Sequence, residues 1–236
     1  PTQLFIHGFL TVNGQKMSKS RGSFITARQY LDHLPADFLR YYFCAKMNSS
    51  AEDLDLNWED FIQRVNSDLI GKYINGASRT AGFITKLFEG KLSQNIPSQH
   101  SELINTALAQ KEMILSYYEE REYSKAIRTI MEITDEMNRF VDRYKPWDMA
   151  KKPEQHASLQ EVCTTVLETF RILTIYLKPV LPHLALKIET FLKIRPQLWN
   201  DLSHTLMLQT KTIEPYNHLL SRLKQEQIDK ITGKVT

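Results

Sequence analysis

The strongest constraint on this chain is an apolar series, Phe61, Val65, Leu69, Tyr73, Ala77, Ala81, Ile84 and Phe88, that keeps spacings of three and four. Such a series draws one apolar stripe along a helix. It extends over about 33 residues, or roughly 50 Å at 1.5 Å per residue. Asn57 suits the N-cap, and Glu59 and Asp60 complement the helix dipole. Gly90 and the polar stretch after it end the helix. From there the pattern stays helical almost throughout. A second helix is expected from about Glu102 to Glu120. A third begins at Ser124, carries Ile127, Ile130, Met131, Met137, Phe140, Val141 and Tyr144, and stops at Lys145-Pro146-Trp147. The stop follows because a residue before proline is pushed out of the α region. A fourth runs from about Leu159 to Leu177 and a fifth over about 181–192, with Pro179 and Pro182 breaking the chain between them. The tail reads as an irregular segment with Trp199 and a short helix near 217–231.

Ahead of the helices, the apolar run from Leu4 to Val12 alternates and turns at Asn13-Gly14, a pair that accepts the positive φ of a type I′ hairpin. Residues 9–12 and 15–17 are the expected strands. A short helix near Thr26 to Leu34 follows, then a second that starts around Pro35 and carries Phe38, Leu39, Tyr42 and Phe43. The expected fold is mainly α, a helical bundle preceded by a small α/β region, with segments 1–56, 57–194 and a tail, 195–236, packing back.

Composition narrows the function. Lys and Arg number 30 against 27 Asp and Glu, a net +3, so indiscriminate coating of nucleic acid is disfavoured and any RNA contact should be local. Cys44 and Cys163 form no CxxC pair, and the scattered histidines lack a second ligand at metal spacing, so no metal site is assigned. No run of 18 apolar residues or signal peptide is visible, which points to a cytoplasmic protein without a membrane partner. The opening in mid-pattern on Pro1 reads as a cut from something longer.

The first 31 residues contain Lys16, Lys19, Arg21 and Arg28 and no acid. Within them stands Lys16-Met17-Ser18-Lys19-Ser20, between Gly14 and Gly22. Chance would produce such a pentapeptide in a chain this long on the order of once in ten thousand cases. Two ammonium groups three positions apart on a swinging loop can close on a triphosphate, and the serine hydroxyls add donors. Such a loop helps most when its contacts strengthen as charge develops on the α-phosphate.

The run KMSKSRGSFI at Lys16 to Ile25 resembles the second signature of class I aminoacyl-tRNA synthetases in the form used by methionyl-tRNA synthetases. HGFLTVNGQ before it, FLRYYF at Phe38 to Phe43, DLDLNWEDF at Asp53 to Phe61, NGASRTAGF at Asn75 to Phe83 and NRFVDRYKPW at Asn138 to Trp147 narrow the resemblance to that family. The likeness covers residues 4–192 and fades in the tail. It implies that Lys19, supported by Lys16, contacts the ATP phosphates during methionyl adenylate formation, with Met17, Ser18 and Ser20 on the same loop. It further implies that a stem-contact region and an anticodon-binding helical domain follow, in which Asn75 and Arg79 read the first anticodon base of tRNA(Met) while Trp147, after Pro146, stacks on the loop. ATP, with Mg2+, and methionine would be substrates of the complete enzyme, and DNA is not an implied partner.

The residues themselves are compatible with this. Asp68, Lys72, Asn75, Arg79, Gly82 and Lys86 form a polar stripe away from Tyr73, Ala77 and Ala81. An amide and a guanidinium one turn apart suit a base edge, and an indole suits stacking. Taken alone, the stripe is what any solvated helix face presents, and a tryptophan after a helix end is often a packed cap. Gly76 and Gly82, each costly in a helix by about 1 kcal/mol relative to Ala, suggest close approach of RNA or a neighbouring helix. Trp58, Trp199, His7 and His183 are expected in packing or polar-satisfaction roles. The family's His-x-Gly-His signature and its cysteine-bearing zinc insertion are absent; both belong upstream, so the chain alone is expected to be inactive. Ser23 stands where the family usually has Thr. The competing readings are a free-standing RNA-binding module without ATP chemistry and a purely structural bundle.

Overall fold

The computed structural model describes residues 2–18 and 24–233. Strands β1 (Leu10–Val12) and β2 (Gln15–Lys16) pair antiparallel, Thr11 opposite Lys16 and Val12 opposite Gln15. Asn13 and Gly14 take φ of 48° and 74°, as the type I′ turn requires. Helix α1 (Ala27–Leu31) is capped by Thr26 and Gln29 acting reciprocally, and α2 (Ala36–Cys44) starts directly after Pro35. A third strand, β3 (Leu54–Leu56), pairs parallel with β1, Leu10 opposite Leu54. Sequence reasoning placed no strand there, because three residues give too short an alternation.

Asn57 caps α3 (Trp58–Arg64), its side chain accepting from the Asp60 amide at 3.0 Å. The hairpin is fastened to the same point, since Asn13 Oδ1 accepts from the Trp58 amide at 3.1 Å. The single long α-helix expected from Asn57 is corrected: α3 passes into a π-helical segment, Val65–Ile74, before α4 (Asn75–Phe88). The wider turn lets Ile74 join Tyr73 in the core, with both almost fully buried. Within it, Asn66 donates to Leu223 O and accepts from Leu223 N, both at 2.8 Å. That clasp also holds the tail extended, so the last helix, α12, spans Gln225–Thr232 and begins later than the sequence suggested.

The expected second helix is two, α5 (Ser98–Ala109) and α6 (Lys111–Glu119), broken at Gln110. The Tyr176 hydroxyl donates to Ala107 O at 2.9 Å and competes for the carbonyl that would continue the helix. Helix α7 (Tyr123–Tyr144) leads into the short α8 (Pro146–Met149). Helix α9 (His156–Leu177) is central, and from Val162 to Leu177 every residue is buried. Its threonine hydroxyls are satisfied within the helix, Thr165, Thr169 and Thr174 each donating to a carbonyl one turn back. Helix α10 (Pro182–Phe191) and α11 (Leu206–Gln209) complete the set.

The α/β region docks on this bundle through polar anchors. Arg40 on α2 donates to Val180 O at 2.9 Å and Pro179 O at 2.8 Å, while buried Asp37 accepts from the Leu184 amide at 2.8 Å. No described helix is long and apolar enough to cross a membrane.

Candidate nucleic-acid interface and signature loop

The end of the π-helical segment and α4 lie parallel to α7, and their polar stripes meet rung by rung. Lys72 Nζ pairs with Asp135 at 3.0 Å, Asn75 Nδ2 donates to Asn138 Oδ1 at 3.3 Å, and Arg79 Nη2 donates to Asp142 Oδ1 at 2.6 Å. Asn138 in turn donates to Lys72 O and Thr134 O at 3.1 and 3.0 Å, fixing its amide orientation. Gly76 faces α7 closely: a Cβ there would displace the end of the Met137 side chain. The neighbouring helix therefore explains Gly76, whereas Gly82 faces open space.

At the end of the ladder α7 stops on Lys145, whose φ of 48° turns the chain and whose amide donates to Val141 O at 2.9 Å. Pro146 opens α8 at a position where a missing N–H costs nothing, and it is buried. Trp147 is 36% exposed, with the Arg79 guanidinium carbon 4.7 Å from its ring centroid. An indole face, a guanidinium and two amides are thus contributed by three helices, α8, α4 and α7, an arrangement able to stack one aromatic ring and bond its edge. The rim is basic: Lys151 bonds Asp148 at 2.9 Å and holds its carboxyl below the ordinary range, with Lys145 and Lys152 adding to the effect.

Arg79 and Trp147 therefore meet, Asn75 stands one turn before Arg79 on α4, and Pro146 is buried at the start of α8. The stripe is less open than its sequence suggests, since Lys72, Asn75 and Arg79 are engaged across to α7, and Asp68 is drawn aside to the Tyr41 hydroxyl at 3.0 Å. Sequence reasoning missed Asp135, Asn138 and Asp142. The signal was present, because these polar residues recur at three and four along one stripe of the amphipathic α7. His100, which is also buried, was missed too. Its ring meets Phe140 and Tyr144 edge-on at 5.6 and 4.9 Å, bracing the last turn of α7, and burial lowers its pKa.

Of the signature loop, Lys16 ends β2 with Nζ 5.5 Å from the Phe9 ring centroid, and Met17 and Ser18 follow partly buried. Lys19 and Ser20 lie outside the described residues. Trp58 is buried against Phe61, and His183 Nδ1 lies 3.0 Å from Asp37 Oδ1. Among the described residues no group of three or more His, Cys, Asp or Glu could hold a metal ion.

Residues 1–81 match the family model for tRNA synthetases class I (M), and residues 103–230 match the anticodon-binding domain of tRNA ligase. Over 98% of its length the chain is 50% identical to a methionine–tRNA ligase of Nitrosospira multiformis, and over 97% it is 50% identical to that of Ralstonia nicotianae. It covers 34% and 33% of those proteins, so it spans about a third of the length of the curated relatives it matches. The crystal structure of Mycobacterium tuberculosis methionyl-tRNA synthetase bound by methionyl-adenylate shares the fold, with a TM-score of 0.79 at 22% identity, covering 90% of this chain and 43% of that one. The apo form of the same synthetase gives a TM-score of 0.80 at 20% identity, over 95% and 44%. A segment of class I synthetase leading into an anticodon-binding helical bundle, matched nearly end to end by methionine–tRNA ligases, means that this chain belongs to the methionyl-tRNA synthetase family.

Proposed function

We propose that this chain is the part of a methionine–tRNA ligase that closes on the phosphates of ATP through Lys16 and Lys19 and recognises the CAU anticodon of tRNA(Met) through Asn75, Arg79 and Trp147. The convergence of Arg79 on the exposed Trp147 face carries this reading. A base stacked at Trp147 meets the Arg79 fork and the Asn75 amide at its edge, and Pro146 sets the angle of the indole. Asp142 holds the guanidinium in plane before RNA arrives, which lowers the ordering cost of binding.

In the ATP step, Lys16 and Lys19 act as point charges, with Met17, Ser18 and Ser20 shaping the loop around the triphosphate. The loop gives most where charge grows on the α-phosphate, so its effect falls on the rate of adenylate formation rather than on methionine binding. Methionine, the magnesium that accompanies ATP and the zinc of the family engage other parts of the full enzyme. None of them is assigned a step on the described residues.

The test separates the two ends. In the full-length enzyme, Arg79→Ala or Trp147→Ala should depress tRNA charging while methionine-dependent pyrophosphate exchange stays near wild type. Lys19→Ala should depress exchange itself with little change in methionine affinity. Equal loss of exchange and charging in the Trp147 variant would break the proposed separation of sites. Unchanged exchange in the Lys19 variant would remove that lysine from the chemistry.

A further inference from the structure

A second cleft, of about 550 Å³, opens at the other end of α7 from Trp147. Its walls are apolar, with Phe43 of α2, Met47 just after that helix, Leu115 and Tyr118 of α6, and Val180 after α9. Its volume falls in the range of small-molecule sites. The polar groups around it are biased in one direction. Arg40 has Nε and Nη2 committed to Val180 O and Pro179 O, which leaves Nη1 outside both bonds. The indole N–H of Trp199, beside the cleft, is buried and has no hydrogen-bond partner among the described residues. Cys44 adds a thiol, pushed up to about 11 by burial and so held as a neutral donor despite the nearby Arg40 charge. Tyr123 adds a phenol. Among the described residues no Asp or Glu lines the cleft, and the Tyr118 hydroxyl is spent on Tyr176 O at 2.8 Å.

A site with donors, a single cation and no carboxylate disfavours ammonium ligands and favours an acceptor, and its aromatic faces suit a flat apolar body to carry that acceptor. We infer that this cleft binds a small aromatic monoanion of the aryl-carboxylate class, its ring among Phe43, Leu115 and Tyr118 and its carboxylate on Arg40. Because α2 forms one wall and the bundle the others, such a ligand bridges the α/β region to the helical domain. The inference is independent of the anticodon reading, since none of these residues belongs to the ladder between α4 and α7.

Cys44 supplies the readout. It is partly exposed and Cys163 is buried, so slow alkylation by iodoacetamide in alkaline buffer, through the small thiolate fraction that the raised Cys44 pKa leaves, reports on this cleft. Saturating 2-naphthoate should slow Cys44 alkylation by about fivefold or more, as expected when most molecules are liganded. The matched amine, 2-naphthylmethylamine, should give little protection, and Arg40→Gln should erase the difference. Because Arg40 also anchors the turn after α9, Met47→Trp, which fills the cleft and keeps Arg40, provides the second arm and should abolish protection. Equal protection by acid and amine, no protection by either, or protection that survives Met47→Trp would overturn the inference. So would protection by an RNA stem-loop in place of naphthoate.

Discussion

At the residue scale, the central unit is an indole held under a guanidinium. Trp147→Ala removes a stacking face worth about 1–3 kcal/mol, so affinity for a cognate anticodon stem-loop should fall by roughly 5- to 150-fold, read by titration at fixed salt. Arg79→Lys keeps the charge and loses the planar fork, so it should weaken binding nearly as much as Arg79→Ala. If the Lys variant bound like wild type, charge alone would explain Arg79. His100 behind this unit gives a pH dependence. Burial lowers its pKa in the folded chain, so the unfolded chain takes up its proton first as pH falls. The stability His100 contributes is therefore full above its unfolded value near 6.5 and is lost as pH drops through the lower folded value. The decline in Tm between about pH 7 and pH 5 should be shallower in His100→Phe than in wild type. Parallel pH profiles would show that another group dominates there.

At the element scale, the helices were legible wherever an apolar stripe ran unbroken, as in α7 and α9, and so was the Asn13-Gly14 hairpin, whose turn chemistry is local. The rest depended on partners distant in sequence. The π segment follows from Asn66 clasping Leu223 and from Ile74 entering the core, and nothing in residues 65–74 alone signals a wider turn. The break at Gln110 depends on a tyrosine hydroxyl from α9. The stripe Lys72, Asn75, Arg79 was legible as polar, but its engagement by Asp135, Asn138 and Asp142 required knowing that α4 and α7 run parallel. The two glycines of α4 test that packing. Gly76→Val should destabilise by about 1–3 kcal/mol, because Met137 fills the space, whereas Gly82→Ala, facing nothing, should gain up to about 1 kcal/mol. Urea unfolding of both variants checks the contrast, and equal effects would contradict the close approach at Gly76.

At the scale of the whole molecule, the tail is tied to the central helix by a buried ionic cluster. Arg171 and Glu168 are about 1% exposed, paired at 2.7 Å, and Arg171 also donates to Asp201 O at 3.0 Å while Glu168 accepts from the Leu206 amide at 2.6 Å. Removing one partner leaves a buried charge, so Arg171→Met should cost about 3–5 kcal/mol and should loosen residues 197–206 first, as seen by hydrogen exchange. Exchange rising uniformly across the bundle would instead mean that the cluster serves global stability alone. Helices α4, α7 and α8 each pack on α9, and the proposed recognition depends on that arrangement. The most direct measurement is a titration of this chain, wild type and Trp147→Ala, with a stem-loop carrying CAU and one altered only at the first anticodon base. A preference for CAU that collapses in the variant is the expected result. Equal affinity for the two stem-loops in the wild-type chain, or an unchanged preference without the indole, would contradict anticodon reading at this surface.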